Sequence, residues 1–209
     1  MILETVFTHA IVRVICKDKS IFQNEDLIRS VNDVITLEYV TGRERGKPGD
    51  SHVGPGHTTV GVPYLDLIYL PGANRITEWV TEQFLLARDM ILPSLKGNNV
   101  VFNRSWINQF DKNAHGKCHT HIREIIDSVN KPDLVGIFYA EVPENSAPLI
   151  FVNNGVADVD HTEFPEKDKH YVYPKVGEFI IHPANAWHAI GLHQSDLRRI
   201  CFVFDIDID

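Results

Sequence analysis

The pattern of apolar and polar residues divides the chain into a mixed N-terminal half and a C-terminal half rich in predicted strands. The β-branched run at residues 6–15 predicts a strand. An Asn-Glu-Asp sequence at 24–26 favours the start of a short helix, and residues 34–40 either extend that helix or form a strand. Between residues 73 and 95, apolar side chains recur every three or four positions, which predicts an amphipathic helix with Asn74 as its N-cap.

After this helix nearly every predicted element is a strand. Short segments rich in Val, Ile, Phe and Tyr are separated by Pro and Gly at a spacing typical of barrels and sandwiches. The predicted strands are residues 100–110, 134–142, 149–152, 170–173, 178–182, 187–192 and 199–206. We expect a single α+β domain over residues 1–209, in which residues 1–98 support a β core formed by residues 99–209.

One stretch matches neither periodicity. Six of the 13 glycines lie between residues 41 and 61, together with Pro48 and Pro55. This composition predicts a long irregular loop, and such loops in compact domains are often lids or binding loops.

Composition and charge narrow the class of protein. The 209 residues, 44% hydrophobic and 23% charged, suffice for one domain with a buried core. No apolar run approaches the roughly 18 residues that span a bilayer, so we expect no membrane partner. The net charge of -8 argues against nucleic acid as a partner. The three cysteines form no CxxC pair, which favours a reducing, cytoplasmic setting.

The distribution of histidines is unusual, because eight of the 11 fall between residues 115 and 193. His119 and His121 are two apart, so in a strand their imidazoles share one face. His188 follows several predicted strands later and offers a third ligand, which would complete a metal site with open positions. The competing interpretation is a structural β-sandwich in which these histidines are incidental.

Two further histidines are expected to have ordinary roles. His182 alternates with Ile180 in a predicted strand, which indicates a buried, hydrogen-bonded side chain. His193 follows Gly191 in a predicted turn and is expected to be exposed.

Two consecutive arginines near the C-terminus are predicted to point to opposite faces of a strand. Arg198 shares a face with Ile200 and Phe202, which predicts outward packing against helices. Arg199 shares a face with Cys201, on the side suited to the interior. An interior arginine needs an anionic partner, and a ligand carboxylate would supply one.

Short motifs along the second half of the chain occur in an order that resembles a known protein family. The segments that carry this resemblance are Ser105-Trp-Ile-Asn108, His119-x-His121, Leu134-Val-Gly-Ile-Phe-Tyr139, Val142-Pro-Glu-Asn-Ser146, Pro148-Leu-Ile-Phe151, Val176-Gly-Glu-Phe179, Pro183, Trp187-His188 and Arg199-Ile200. In this order they resemble the 2-oxoglutarate/Fe(II)-dependent oxygenase family of bacterial and phage proteins. The resemblance covers about residues 100–206.

The resemblance implies a double-stranded β-helix (a jelly roll, as in cupins) that binds Fe(II) as metal and 2-oxoglutarate as co-substrate. It implies that His119, His121 and His188 are the metal ligands and that Arg199 binds the distal carboxylate of 2-oxoglutarate. Asn108 stands where related enzymes place an asparagine that hydrogen-bonds the co-substrate. The implied activity is a dioxygenase that hydroxylates a peptide side chain or a small molecule; the sequence specifies neither the substrate nor an oligomeric state.

Departures from the common pattern leave alternatives open. Most oxygenases of this superfamily have HxD where this chain has HxH, so either three histidines suffice or Glu124 or Asp127 completes the ligand set. Phe110 stands where relatives often have a tyrosine, so one hydrogen bond to the co-substrate is expected to be absent. The alternative function is a cupin-like module without oxygenase activity, in which the histidines hold zinc or another divalent ion.

Overall fold

The computed structural model of the chain describes residues 1–37, 52–60, 62, 65–122 and 132–209. These residues form mostly β-sheet with two α-helices, α1 (Glu25–Thr36) and α2 (Asn74–Ile91). The strands are β1 (Ile2–Val6), β2 (His9–Ile15), β3 (His52–Val53), β4 (Gly56–Thr58), β5 (Val100–Phe110), β6 (His115–His119), β7 (Leu134–Glu141), β8 (Leu149–Val152), β9 (Lys169–Val172), β10 (Glu178–Pro183), β11 (His188–Ile190) and β12 (Arg199–Ile208). Single turns of 3₁₀ helix lie at Lys19–Ile21, Leu67–Tyr69, Pro93–Leu95, His161–Glu163 and Glu166–Asp168.

The strands form two antiparallel sheets. One has seven strands in the order β1-β2-β10-β7-β12-β5-β4, and the other has five in the order β3-β6-β11-β8-β9. A buried apolar cluster contains Trp106 and Tyr139 from the first sheet and Leu149, Phe151 and Ile190 from the second. The two sheets therefore pack face to face, and this cluster is the core between them.

Both helices cover the opposite face of the seven-stranded sheet. The N-cap of α1 is Asn24, whose side-chain oxygen accepts a hydrogen bond of 2.9 Å from the Leu27 amide. Phe84 of α2 packs edge-on against Phe179 of β10, with ring centroids 5.2 Å apart. None of the helices in the described ranges is long and apolar enough to cross a membrane.

Strand β12 lies between β7 and β5 and is buried along almost its whole length. Its even-numbered apolar residues, Ile200, Phe202 and Phe204, join the core under the helices. Cys201 and Val203 face the core between the sheets. The alternation predicted for this strand is confirmed, and it points Arg199 toward the space between the sheets.

Several predicted element boundaries differ from the structure. The strand predicted at 6–15 begins only at His9 as β2, and Val6 ends β1, because Phe7 adopts a left-handed conformation with φ 55° and turns the chain. Asn74 is the first residue of α2 and not its N-cap; Ala73 holds that position and makes no side-chain cap bond. Helix α2 ends at Ile91, and the predicted extension to residue 95 is a separate turn of 3₁₀ helix.

Part of the predicted irregular loop is regular. Residues 52–53 form β3, which pairs with β6, and residues 56–58 form β4, which pairs with β5. The N-terminal half thus supplies strands to both sheets in addition to its helices. Residues 41–51 and Gly61 of the predicted loop lie outside the described residues, as do residues 38–40, for which a strand or a helical extension was left open.

Candidate active site

Three histidines converge at one end of the five-stranded sheet. His119 ends β6 and pairs directly with His188 of β11 on the neighbouring strand. His121 lies two residues beyond His119, where its backbone amide donates to the Ala184 carbonyl at 3.0 Å. One nitrogen from each ring lies within 4.8 Å of the other two, so this set could hold a metal ion. The structure therefore brings together the three histidines that the sequence singled out.

Hydrogen bonds on the far side of each ring select the nitrogen that faces the centre. The Nδ1 atom of His119 lies 2.8 Å from the Lys117 carbonyl oxygen, and Nδ1 of His188 lies 3.0 Å from the Ala186 carbonyl oxygen. A carbonyl only accepts, so both Nδ1 atoms carry the proton and donate. Nε2 is then the nitrogen that can coordinate a metal in each ring.

His121 has a different partner on its far side, the carboxylate of Asp205. Its Nδ1 lies 2.5 Å from Oδ1 of this aspartate, which is 0% exposed. The second carboxylate oxygen of Asp205 accepts from Nε of Arg104 at 2.6 Å. Burial favours a higher pKa for Asp205, but the His121 ring and the Arg104 guanidinium outweigh it and hold the pKa below its usual value. Asp205 is therefore a buried carboxylate anion.

Arg199 lies on the same inner face of β12 as Asp205 and is fully buried. Its Nη1 donates to the Ala147 carbonyl at 3.0 Å, and its guanidinium lies over the rings of Phe110 and Tyr139, 5.1 and 4.9 Å from their centroids. Nε and Nη2 have no hydrogen-bond partner, and no carboxylate of the described residues forms an ion pair with this side chain. A buried guanidinium with two unused donors fits an anionic ligand.

Tyr139 lies next to Arg199 and was not predicted from the sequence as a site residue. Its hydroxyl is buried without a hydrogen-bond partner, and burial raises the pKa of the phenol, so the group stays protonated and can donate. Strand β7 is apolar on both faces. Alternation therefore could not show which of its side chains face the site; only the position of Tyr139 beside Arg199 reveals it.

Asn108 of β5 faces the same interior but has partners within the protein. Its amide lies 2.6 Å from the hydroxyl of Thr58. In the amide orientation that satisfies both ends, the nitrogen faces that hydroxyl and the oxygen accepts from Nε1 of Trp106 at 3.3 Å. Trp106 in turn stacks on the ring of His121, with centroids 5.6 Å apart. Asn108 is thus tied to the wall of the histidine site through Trp106.

The prediction for His182 is confirmed, whereas the prediction for His193 is not. His182 is buried and donates from Nδ1 to the Pro183 carbonyl at 2.9 Å, as expected, but its ring centroid also lies 4.8 Å from that of His188. Burial lowers the pKa of His182 to about 3, so its ring is neutral. The prediction that His193 is exposed is wrong: it is 0% exposed, because it accepts from the Ala147 amide at 3.3 Å and donates to the Leu197 carbonyl.

Glu124 and Asp127, the alternative fourth ligands, lie outside the described residues. Cys118 adjoins His119 but packs with Ile150 on the other face of its sheet. Burial raises the pKa of the Cys118 thiol to about 11, which argues against a nucleophilic thiolate at neutral pH.

Comparison with known proteins identifies this arrangement. Residues 104–205 match the model of the family described as "Putative 2OG-Fe(II) oxygenase". This segment begins at Arg104 and ends at Asp205, and it contains all three histidines and Arg199. Residues 104–205 belong to the 2OG-Fe(II) oxygenase family. This match marks the chain as a 2-oxoglutarate-dependent oxygenase, an enzyme class that uses Fe(II) as metal and 2-oxoglutarate as co-substrate.

Solved structures share the fold over nearly the whole chain. A prolyl-4-hydroxylase from Pseudomonas putida is 14% identical, with a TM-score of 0.55, and the match covers 96% of this chain and 93% of that one. AviO1 from Streptomyces viridochromogenes is 14% identical, with a TM-score of 0.60 and coverage of 95% and 89%. HygX from Streptomyces hygroscopicus, with nickel and 2-oxoglutarate bound, is 9% identical, with a TM-score of 0.57 and coverage of 94% and 82%.

At these identities the likeness concerns the fold. A search of curated protein sequences gives no match.

Proposed function

We propose that His119, His121 and His188 hold Fe(II) through their Nε2 atoms, with no carboxylate ligand from the described residues. The spacing of the three nitrogens and the hydrogen bonds that fix Nδ1 on the far side of each ring support this assignment. Imidazole is a good ligand for iron, and three protein ligands leave coordination positions for a co-substrate.

Arg199 and Tyr139 would bind the distal carboxylate of 2-oxoglutarate. Nε and Nη2 of Arg199 and the hydroxyl of Tyr139 are buried donors without partners, and the guanidinium lies over the Tyr139 ring. A carboxylate would satisfy them at once, with the charge that the buried guanidinium needs. This observation carries the proposal, because a site that only stored a metal would not need an unpaired arginine in the core.

The tyrosine expected to be absent at position 110 thus has a counterpart on another strand. The Arg199 guanidinium contacts the rings of both Phe110 and Tyr139, which come from β5 and β7, the two neighbours of β12. The hydroxyl of Tyr139 would supply the hydrogen bond that Phe110 lacks. Asn108 would contribute from the wall, where its amide is held by Trp106 and Thr58.

The double-stranded β-helix is the finer description of the fold that we propose. Two packed antiparallel sheets, with the histidines on one sheet and Arg199 on the other, are consistent with a jelly roll. The described structure and its match over nearly the whole chain to a prolyl-4-hydroxylase and to an oxidoreductase of the 2OG-Fe(II) oxygenase family from Burkholderia pseudomallei support this assignment.

Bound Fe(II) would supply the hydroxylation of a C–H bond by O2, with one oxygen atom entering the product and the other entering succinate as 2-oxoglutarate loses carbon dioxide. The residues of this chain hold the ion, orient the co-substrate by its distal carboxylate and exclude water from its buried end. Arg199 is fully buried and His188 is 1% exposed, whereas His119 is partly exposed. We infer that the substrate approaches from the side of His119.

The substrate would be a peptide side chain or a small molecule, and the reaction a hydroxylation. Among the proteins of this fold, one is a prolyl-4-hydroxylase and HygX has been crystallised with hygromycin B. The chain's net charge of -8 disfavours nucleic acid. We place the enzyme in the cytoplasm, because its three cysteines are free and buried.

A divalent-metal module without oxygenase activity is the competing function. It would explain the histidines but not the unpaired donors of Arg199 and Tyr139.

Succinate formation from 2-oxoglutarate tests the proposal. The wild-type protein, loaded with Fe(II), should form succinate in air, and His188→Ala should lose both bound iron and this activity. His115→Ala is the matched control: His115 lies on the same strand as His119 but bonds Asp160 at 3.1 Å, outside the triad. Metal binding without any turnover of 2-oxoglutarate would favour the metal module instead.

A further inference from the structure

The ligand set proposed above is electrically neutral, whereas the common HxD pattern supplies one anionic ligand. Three imidazoles contribute no negative charge to a divalent cation. Among the described residues, the carboxylate of Asp205 is hydrogen-bonded to the far nitrogen of His121.

We propose that Asp205 is a positioning residue that supplies, through His121, the negative charge that the HxH motif lacks. This proposal rests on the proposed metal site. The 2.5 Å hydrogen bond between Nδ1 of His121 and the Asp205 carboxylate holds the His121 ring with Nε2 toward the other two histidines. A carboxylate on the outer nitrogen of a ligating histidine also raises the basicity of the ligand.

The surroundings of Asp205 show that this contact is built into the fold. Asp205 pairs with Arg104 across β12 and β5, and the guanidinium of Arg104 bonds its outer oxygen. The same guanidinium lies over the Trp106 ring, 4.9 Å from its centroid, and Trp106 stacks on His121. The ring of His121 is therefore held both by the carboxylate and by the indole.

Arg104 has the opposite electrostatic effect from Asp205. Its positive charge partly neutralises the carboxylate that is hydrogen-bonded to His121, and it also repels a metal cation. The Arg104 side chain is 32% exposed, so it can be replaced with less disturbance to the core than the buried Asp205. Removing its charge should strengthen metal binding, whereas removing the charge of Asp205 should weaken it.

The affinity of the chelator-stripped protein for Co(II), measured by competition with a chromogenic chelator, tests this pair of effects. Asp205→Asn retains an acceptor oxygen but no charge and should bind Co(II) about 10- to 100-fold more weakly. Arg104→Gln should bind about two- to tenfold more tightly. The ligand-field absorption of bound Co(II) should change in Asp205→Asn, because the donor strength of His121 falls.

Asp207→Asn is the matched control, because Asp207 lies two residues further along β12 and contacts Asn103 instead of a histidine. It should bind Co(II) as the wild type does. If Asp205→Asn does not fold, the sign of the Arg104→Gln effect still decides. A purely structural ion pair predicts that Asp205→Asn and Arg104→Gln both lose affinity; that result, or wild-type affinity in Asp205→Asn, overturns the proposal.

The outcome also separates this inference from the function on which it rests. If the wild-type protein binds neither Co(II) nor Fe(II), the proposed metal site itself is wrong. If the wild type binds metal and forms succinate while Asp205→Asn binds equally well, only the role of Asp205 is wrong.

Discussion

The guanidinium of Arg199 lies 4.9 Å from the centroid of the Tyr139 ring, and both side chains are fully buried with polar atoms that have no partner. They come from neighbouring strands, β12 and β7, of the seven-stranded sheet. Leaving buried donors unsatisfied costs free energy, so a protein retains them where a ligand completes them. In the proposed function this pair would form the buried end of the co-substrate site.

Replacing Arg199 should strongly weaken binding of the co-substrate. We expect Arg199→Ala to weaken the affinity for 2-oxoglutarate by roughly 100-fold, because two charge-assisted hydrogen bonds and the charge itself are lost. Isothermal titration of the metal-loaded protein, with Mn(II) in place of Fe(II), measures this change.

The adjacent arginine provides the control for that experiment. Arg198 bonds Glu141 at 2.9 and 3.0 Å and is 35% exposed on the outer side of the strand. Arg198→Ala should bind 2-oxoglutarate as the wild type does. Equal losses in the two variants would mean that the strand, and not the guanidinium, is responsible.

The hydroxyl of Tyr139 should have a smaller effect of the same kind. Tyr139→Phe keeps the ring beside Arg199 and removes one donor, so the affinity for 2-oxoglutarate should fall roughly five- to twentyfold. The same titration measures it, and thermal unfolding should show that the fold is intact. If the affinity is unchanged, the hydroxyl points away from the co-substrate and Arg199 acts without it.

His182 should make the stability of the metal-free protein depend on pH. Burial lowers its pKa from 6.5 to about 3 in the folded protein, so between these values the unfolded chain binds a proton that the folded chain does not. Stability is therefore complete above pH 6.5 and decreases as the pH falls toward 3, with a loss of about 2 kcal/mol at pH 5.

Urea unfolding at pH 7 and pH 5 measures this contribution. His188 shifts in the same direction, since burial lowers its pKa as well, so the wild-type difference has more than one source. His182→Phe removes one of them and should reduce the difference by about 2 kcal/mol. An unchanged difference would show that His182 takes up its proton in the folded state near its ordinary pKa.

Gly136 should tolerate no side chain, although it lies in a regular strand. A methyl group on this residue would overlap the rings of Phe84 and Phe179, which pack edge-to-face above β7. Gly136→Ala should lower the free energy of unfolding by about 1–3 kcal/mol, seen as a decrease in the thermal midpoint. A midpoint equal to that of the wild type would mean that the two rings can move apart.

Strand parity was enough to predict the parts of the site that lie on alternating strands. It indicated that His119 and His121 share a face and that Arg199 is interior, and the structure has both features. The same alternation, continued six residues along β12, places Asp205 on the same face as Arg199. The inward orientation of Asp205 could therefore have been predicted from the sequence. Its partner His121 lies 84 positions away in the chain, and only the packing of the two sheets joins them.

Other features had no local signal. The turn at Phe7 uses a residue with a bulky side chain in a left-handed conformation, where glycine or asparagine would have marked it. His193 follows a glycine and precedes polar residues, yet the hydrogen bonds that bury it come from Ala147 and Leu197. Such roles depend on contacts between distant segments and not on the residues next to them.

The length of β12 constrains the enzyme more than its individual residues do. Arg199 stands at one end of this strand and Asp205 near the other, with both flanks paired to neighbouring strands. Inserting or deleting one residue between them would turn one of the two side chains to the opposite face of the sheet. Natural variation in this strand should therefore be confined to exchanges of side chains, since any change in its residue count would separate anion recognition from metal chemistry.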